Sequence, residues 1–137
     1  HMSTAADREV YRLDAELEVL VSGTLINDSG QAQVVNARFS FPGPELYLTL
    51  SPVGGRPLQW YPPVAPPRPL TREHFVTVQA GDSLSFSCKF HGTDLSSPLV
   101  AGDYELVASL RNWGAEKFGL DYWEGVTRSN VLRLILQ

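Results

Sequence analysis

Side chains capable of covalent or metal chemistry are few in this 137-residue chain: one thiol, Cys88, and two histidines, His74 and His91, beyond His1. A thiolate nucleophile needs a base and an electropositive, partly open setting. Cys88 instead alternates in phase with Leu84, Phe86 and Phe90. That is the pattern of a strand's buried face, where a free thiol packs as a small hydrophobe. Neither histidine stands in a His-x-His or His-Glu-x-x-His spacing, so no zinc ligand set is legible. Glu73-His74 beside Arg72 reads as a solvated strand start. Asp82, Asp94, Asp103 and Asp121 fall in turn-like contexts, with no Asp-x-Asp run to converge oxygens on calcium. Turn formation explains them, because Asp side chains hydrogen-bond nearby backbone amides. Nucleophile-elbow glycines, a phosphate loop and a paired histidine–carboxylate set are all missing from the sequence. The expectation is a protein with no catalytic residue, no metal and no cofactor.

Binding chemistry is better represented. Residues 56–70 hold six prolines (Pro57, Pro62, Pro63, Pro66, Pro67, Pro69), two arginines (Arg56, Arg68) and the pair Trp60-Tyr61. Proline has no amide hydrogen and cannot sit in a central strand, so this stretch predicts a long extended connection crossing an edge or end of a sheet. A stiff backbone loses less entropy on binding. A second aromatic group, Trp113, Phe118, Tyr122 and Trp123, surrounds the last long loop. Rings outside alternating strands are candidates for contact with protein, peptide or sugar. Each Trp has an equally concrete structural reading as a plug at one end of the core. The candidate binding residues are Trp60, Tyr61, Arg56, Arg68, Trp113, Tyr122 and Trp123. Two partner classes follow: another protein, engaged through loops, or a carbohydrate stacked on exposed Trp faces flanked by Gln59, Asn112, Glu116 and Asp121.

Composition narrows the field. A net charge of −4 argues against a general nucleic-acid binder, which requires a basic face to release counterions from phosphate. No apolar run approaches the roughly 20 residues that span a bilayer. A single cysteine excludes an internal disulfide. His1-Met2 has the form of a cloning remnant. If Met2 is the native start, a cytoplasmic protein is expected; otherwise the compartment is open. Asn27-Asp28-Ser29 fits the glycosylation pattern and equally an ordinary turn.

The elements that would position these residues are strands. Residues 1–9 are small and polar, and predict a loose end ahead of a single domain over 10–137. In residues 13–26, Leu13, Ala15, Leu17, Val19 and Val21 share one face, with a bulge or bend expected at Gly23. Strands are also predicted over 33–41, 46–50, 75–79, 84–90, 104–111, 123–127 and 131–137. Two Gly-Asp turns, Gly81-Asp82 and Gly102-Asp103, each precede a run of clean alternation. Eight or so short strands with frequent turns predict an all-β antiparallel sandwich carrying a long Pro-rich loop.

With Leu99-Val100-Ala101-Gly102-Asp103-Tyr104 the chain resembles immunoglobulin-like and fibronectin-like bacterial β-sandwich domains. Ser129-Asn130-Val131-Leu132-Arg133-Leu134 looks like the last strand of such domains. The resemblance implies a tyrosine corner, with the Tyr104 hydroxyl bonded to backbone near Leu99. Across residues 17–136 the layout is similar to the BsuPI-type intracellular proteinase inhibitors, which implies an interaction or inhibitor-like role.

Overall fold

The computed structural model describes residues 1–41, 43–62, 68–120 and 125–137. The chain is all-β, with no helix of seven residues or more among them. The strands are β1 (Met2–Ala6), β2 (Val10–Tyr11), β3 (Glu18–Ile26), β4 (Gln33–Asn36), β5 (Leu46–Pro52), β6 (Phe75–Val78), β7 (Ser83–His91), β8 (Gly102–Asn112), β9 (Gly125–Arg128) and β10 (Leu132–Leu136). One sheet has the order β1-β3-β7. The second runs β2-β10-β8-β5, with β9 also beside β8, and β4-β6 forms a separate ribbon. The inner faces meet in one core. Val19, Val21, Phe86 and Phe90 come from the first sheet, and Leu46, Leu48, Leu50, Leu106, Leu110 and Leu134 from the second. Each such side chain contributes about 1.5–3 kcal/mol on leaving water. The period-two pattern that predicted β7, β8 and β10 is the pattern that fills this core.

Four expectations are corrected. Residues 2–6 are not a loose end: they form β1, antiparallel to β3 from Met2 opposite Leu25 to Ala6 opposite Val21. Met2 is 2% exposed, so an apolar side chain that the composition of its neighbours masked supplies the anchor. No bulge interrupts Gly23; β3 pairs with β7 in unbroken register from Glu18–His91 to Ile26–Ser83. The glycine is there for its partner Phe86, whose ring lies so close that an added Cβ would stand 2.1 Å from it. The strand within 13–26 begins only at Glu18, because Leu17 closes a turn by donating its amide to Asp14 O. The 33–41 strand stops at Asn36, and the chain beyond turns to deliver Arg38, Phe39 and Phe41 elsewhere.

Two devices close the sides of the sandwich. On one side, the free edge of β5 meets the Pro-rich segment. Leu50 O accepts from Leu58 N and Leu48 O from Trp60 Nε1, both at 2.8 Å. The same segment reaches the residues after β7, with Tyr61 N donating to Asp94 O and Ser96 N to Gln59 O, each at 2.8 Å. On the other side a bulge does the work. From Arg128 to Leu132 the chain advances four residues while β8 retreats three, from Ser109 to Leu106. Asn130 projects from this bulge, accepts from Thr4 N at 2.7 Å and donates to Thr4 O at 3.2 Å. Its amide thereby stands in for a strand beside β1.

Tyr104 opens the inward run of β8 and is buried. Its hydroxyl donates to Val100 O at 2.8 Å and accepts from Val100 N at 3.3 Å, one residue from the predicted position.

Candidate functional site

Three loops converge at one end of the sandwich: the stretch from Asn36 to Glu45, the stretch from Arg68 to Phe75, and the turn after β8. Their floor is polar and buried. Asn36 N donates to Asn112 Oδ1 at 2.7 Å, and Asn112 Nδ2 donates to Val34 O at 3.0 Å. Asn36 Nδ2 donates to Trp113 O at 3.2 Å and to Glu45 Oε1 at 3.4 Å. Glu45, with a fully buried side chain, is held by the Arg38 guanidinium, whose Nε lies 2.9 Å from Oε1 and whose Nη2 also donates to it. Arg38 Nη1 donates to Arg68 O at 2.6 Å, which ties the far limb of the Pro-rich segment to this floor. Buried charge requires such pairing, since an isolated carboxylate would be strongly destabilising there. Glu45 Oε2 and Trp113 Nε1 are buried without a hydrogen-bond partner among the described residues.

Above the floor sits an aromatic and cationic layer. The Arg111 guanidinium lies 5.5 Å and the Lys117 ammonium 5.1 Å from the Trp113 ring centroid, within cation–π range. Neither cation makes an ion pair with a described acidic residue. Phe75 and Phe118 pack at 5.6 Å. Gly114, at φ +88°, permits the turn, and an added Cβ would meet Leu70 Cδ2 at 2.5 Å. The loops are thus pressed onto one another beneath this layer.

The predicted binding residues are distributed as follows. Arg68 and Trp113 belong to this end. Trp60 does not: its ring packs edge-on against Phe41 at 5.0 Å and Phe90 at 5.1 Å, and its indole N–H is spent on Leu48 O. It anchors the Pro-rich segment in the core. Tyr61, 57% exposed, and the exposed Arg56 lie outward on that segment, away from the Arg38 contact. Tyr122 and Trp123 lie outside the described residues, as does Asp121. Arg38, Glu45, Arg111 and Lys117 were not legible as members of a site. The available signal was a glutamate placed directly between Pro44 and the apolar run of β5, where a solvated charge is out of place.

The reactive groups are placed apart from this end. Cys88 is half-buried against the core, and burial pushes its thiol up to about 11. His91 stands between Glu18 (3.1 Å) and Asp94 (3.6 Å) in a partly exposed polar cluster. His74 Nδ1 accepts from Thr71 N at 3.0 Å in a short turn. Among the described residues no three His, Cys, Asp or Glu side chains are grouped so as to hold a metal ion. No helix of the described residues is long and apolar enough to cross a membrane. The sequence matches no protein-family model, and no curated protein is detectably similar to it.

Proposed function

We propose that the chain is a non-catalytic, immunoglobulin-like protein-binding module that engages its partner through the loop end built on Arg38, Arg68, Trp113 and Lys117. The observation that carries this reading is the pair of cations held over Trp113, neither paired with an acidic side chain among the described residues. Aromatic and arginine-type groups packed onto a hydrogen-bonded base are what protein interfaces use as anchors. An acidic surface on the partner complements them. The Tyr104–Val100 hydrogen bonds, read as a tyrosine corner, and the contacts of Leu58 and Trp60 with β5 support the scaffold half of the proposal. Trp60 is committed to the core, and the Trp113 ring is already attended by two cations. An open sugar-stacking platform therefore draws no support from either.

The test is affinity capture with wild-type protein, with Lys117→Glu and Trp113→Ala, and with Ser87→Lys on the outer face of the opposite sheet. Thermal unfolding of all four establishes that each is folded. A protein retained by wild type and Ser87→Lys but lost with both loop variants supports the reading. Equal capture by all four overturns it.

A further inference from the structure

The outer face of the second sheet carries an ordered run of charge. Outward along β8 come Asp103, Glu105, Val107, Ser109 and Arg111, acidic at one end and basic at the other. Register extends the order sideways. At the basic end Val126 stands beside Arg111, and Arg128 and Tyr47 flank Ser109. At the acidic end Ile135 stands beside Asp103, and Arg133 beside Glu105. Val10 continues the face through β2. Tyr47, Val126, Ile135 and Val10 are all large apolar side chains left exposed. An exposed face that combines apolar side chains with separated charge fits a protein partner.

We propose that the partner is a second copy of this chain, docked face to face about a two-fold axis that runs across the strands through the row of Thr49 and Val107. Such an interface is isologous, so each residue's partner is set by reversing the ladder onto itself. Reversal brings Arg111 to Asp103, Val126 to Ile135, Val107 to Val107 and Tyr47 to Ser51. One kind of like-charge meeting results, Arg128 with Arg133, and symmetry makes it twice. It is bridged by Glu105, which already holds Arg133 at 3.6 Å and sits on the row that Arg128 of the other copy approaches. No other choice of partner is needed to satisfy both ends of the ladder at once.

Sedimentation equilibrium at low ionic strength, over about 10 μM to 1 mM, tests the proposal in the range of modest protein contacts. Wild type is expected to dimerise, and added salt to weaken the dimer. Arg111→Glu and Asp103→Lys should each weaken self-association at least about tenfold, since each places like charges together twice. An equimolar mixture of the two should restore it, because both contacts between positions 111 and 103 are then oppositely charged. Val107→Glu, which puts two carboxylates on the axis, gives an independent arm should Arg111→Glu disturb the neighbouring loop. A wild type that stays monomeric throughout overturns the inference. So does a dimer indifferent to the single reversals and to Val107→Glu, or one not recovered in the mixture.

Discussion

Gly23 shows how much one missing methyl group can matter. The ring of Phe86 occupies the space a side chain at position 23 would take, with the nearest ring carbon 2.1 Å from an added Cβ. Gly23→Ala must therefore push an almost fully buried ring out of place. The expected loss is about 1–3 kcal/mol, typical of overpacking, read as a lower urea midpoint. The double variant Gly23→Ala/Phe86→Leu should recover part of it. Tyr104→Phe removes two hydrogen bonds to Val100 and should cost about 1 kcal/mol or somewhat more. Cys88, with its thiol held near 11 by burial, should label slowly in the folded protein and fast only in denaturant. Local sequence revealed Cys88 and Tyr104, because strand phase and a neighbouring turn determine their roles. It misassigned Gly23, whose reason for being glycine lies on another strand, at Phe86.

At the scale of elements, the Pro-rich segment takes its position from the edge it covers. Leu58 and Trp60 satisfy carbonyls of β5 that would otherwise form an open template for another chain, and prolines beside them cannot extend the pairing. Trp60→Ala should lower stability by about 3–5 kcal/mol, as loss of a large core ring does. Light scattering on warming should also report earlier aggregation, because the β5 edge is released. Trp60→Phe should retain most of the packing but strand Leu48 O, and so fall between. Proline content alone predicted an edge crossing, but which edge depends on where β5 falls in the sheet order. Strand boundaries followed the same logic. Alternation located β7, β8 and β10 closely, whereas the 33–41 run kept its period past Asn36 although the chain had left the ribbon to deliver Arg38 to Glu45.

Over the whole molecule, two polar clusters at different places around the apolar core make stability testable by substitution and by pH. In the loop end, Arg38→Met leaves the Glu45 carboxylate buried without its cation, and a loss of about 3–5 kcal/mol is expected in chemical unfolding. Arg38→Met/Glu45→Gln should be milder than the single change. In the other cluster, the Tyr11 hydroxyl donates to Asp7 at 2.6 Å and accepts from Arg8 N at 3.0 Å. Burial, and next the hydrogen bond to Asp7, raise the Tyr11 pKa above its ordinary 10. The folded chain thus holds the phenol proton more tightly than the unfolded chain. That contribution is complete below about pH 10 and is lost as pH rises further. Urea midpoints measured from neutral to strongly alkaline pH should fall in that window, and Tyr11→Phe should flatten the fall. The sandwich itself was legible because binary patterning determines layers. The loop end was not, because Asn36, Glu45 and Asn112 are far apart in the chain and only the closed fold makes neighbours of them.

The crossing of the first segment from one sheet to the other has a consequence in time. β1 pairs with β3, but β2 pairs in parallel with β10, at Val10–Ile135 and Tyr11–Leu136. During synthesis at about 5–20 residues per second, β2 leaves the ribosome on the order of ten seconds before its partner is made. In the last part of that interval, once β8 is made, the β10 side of Tyr104 and Leu106 has nothing beside it, and the nascent chain carries an unfinished second sheet. Completion of the second sheet therefore waits for β10, and a ribosome stalled before residue 132 would hold a chain in which β2 has no partner.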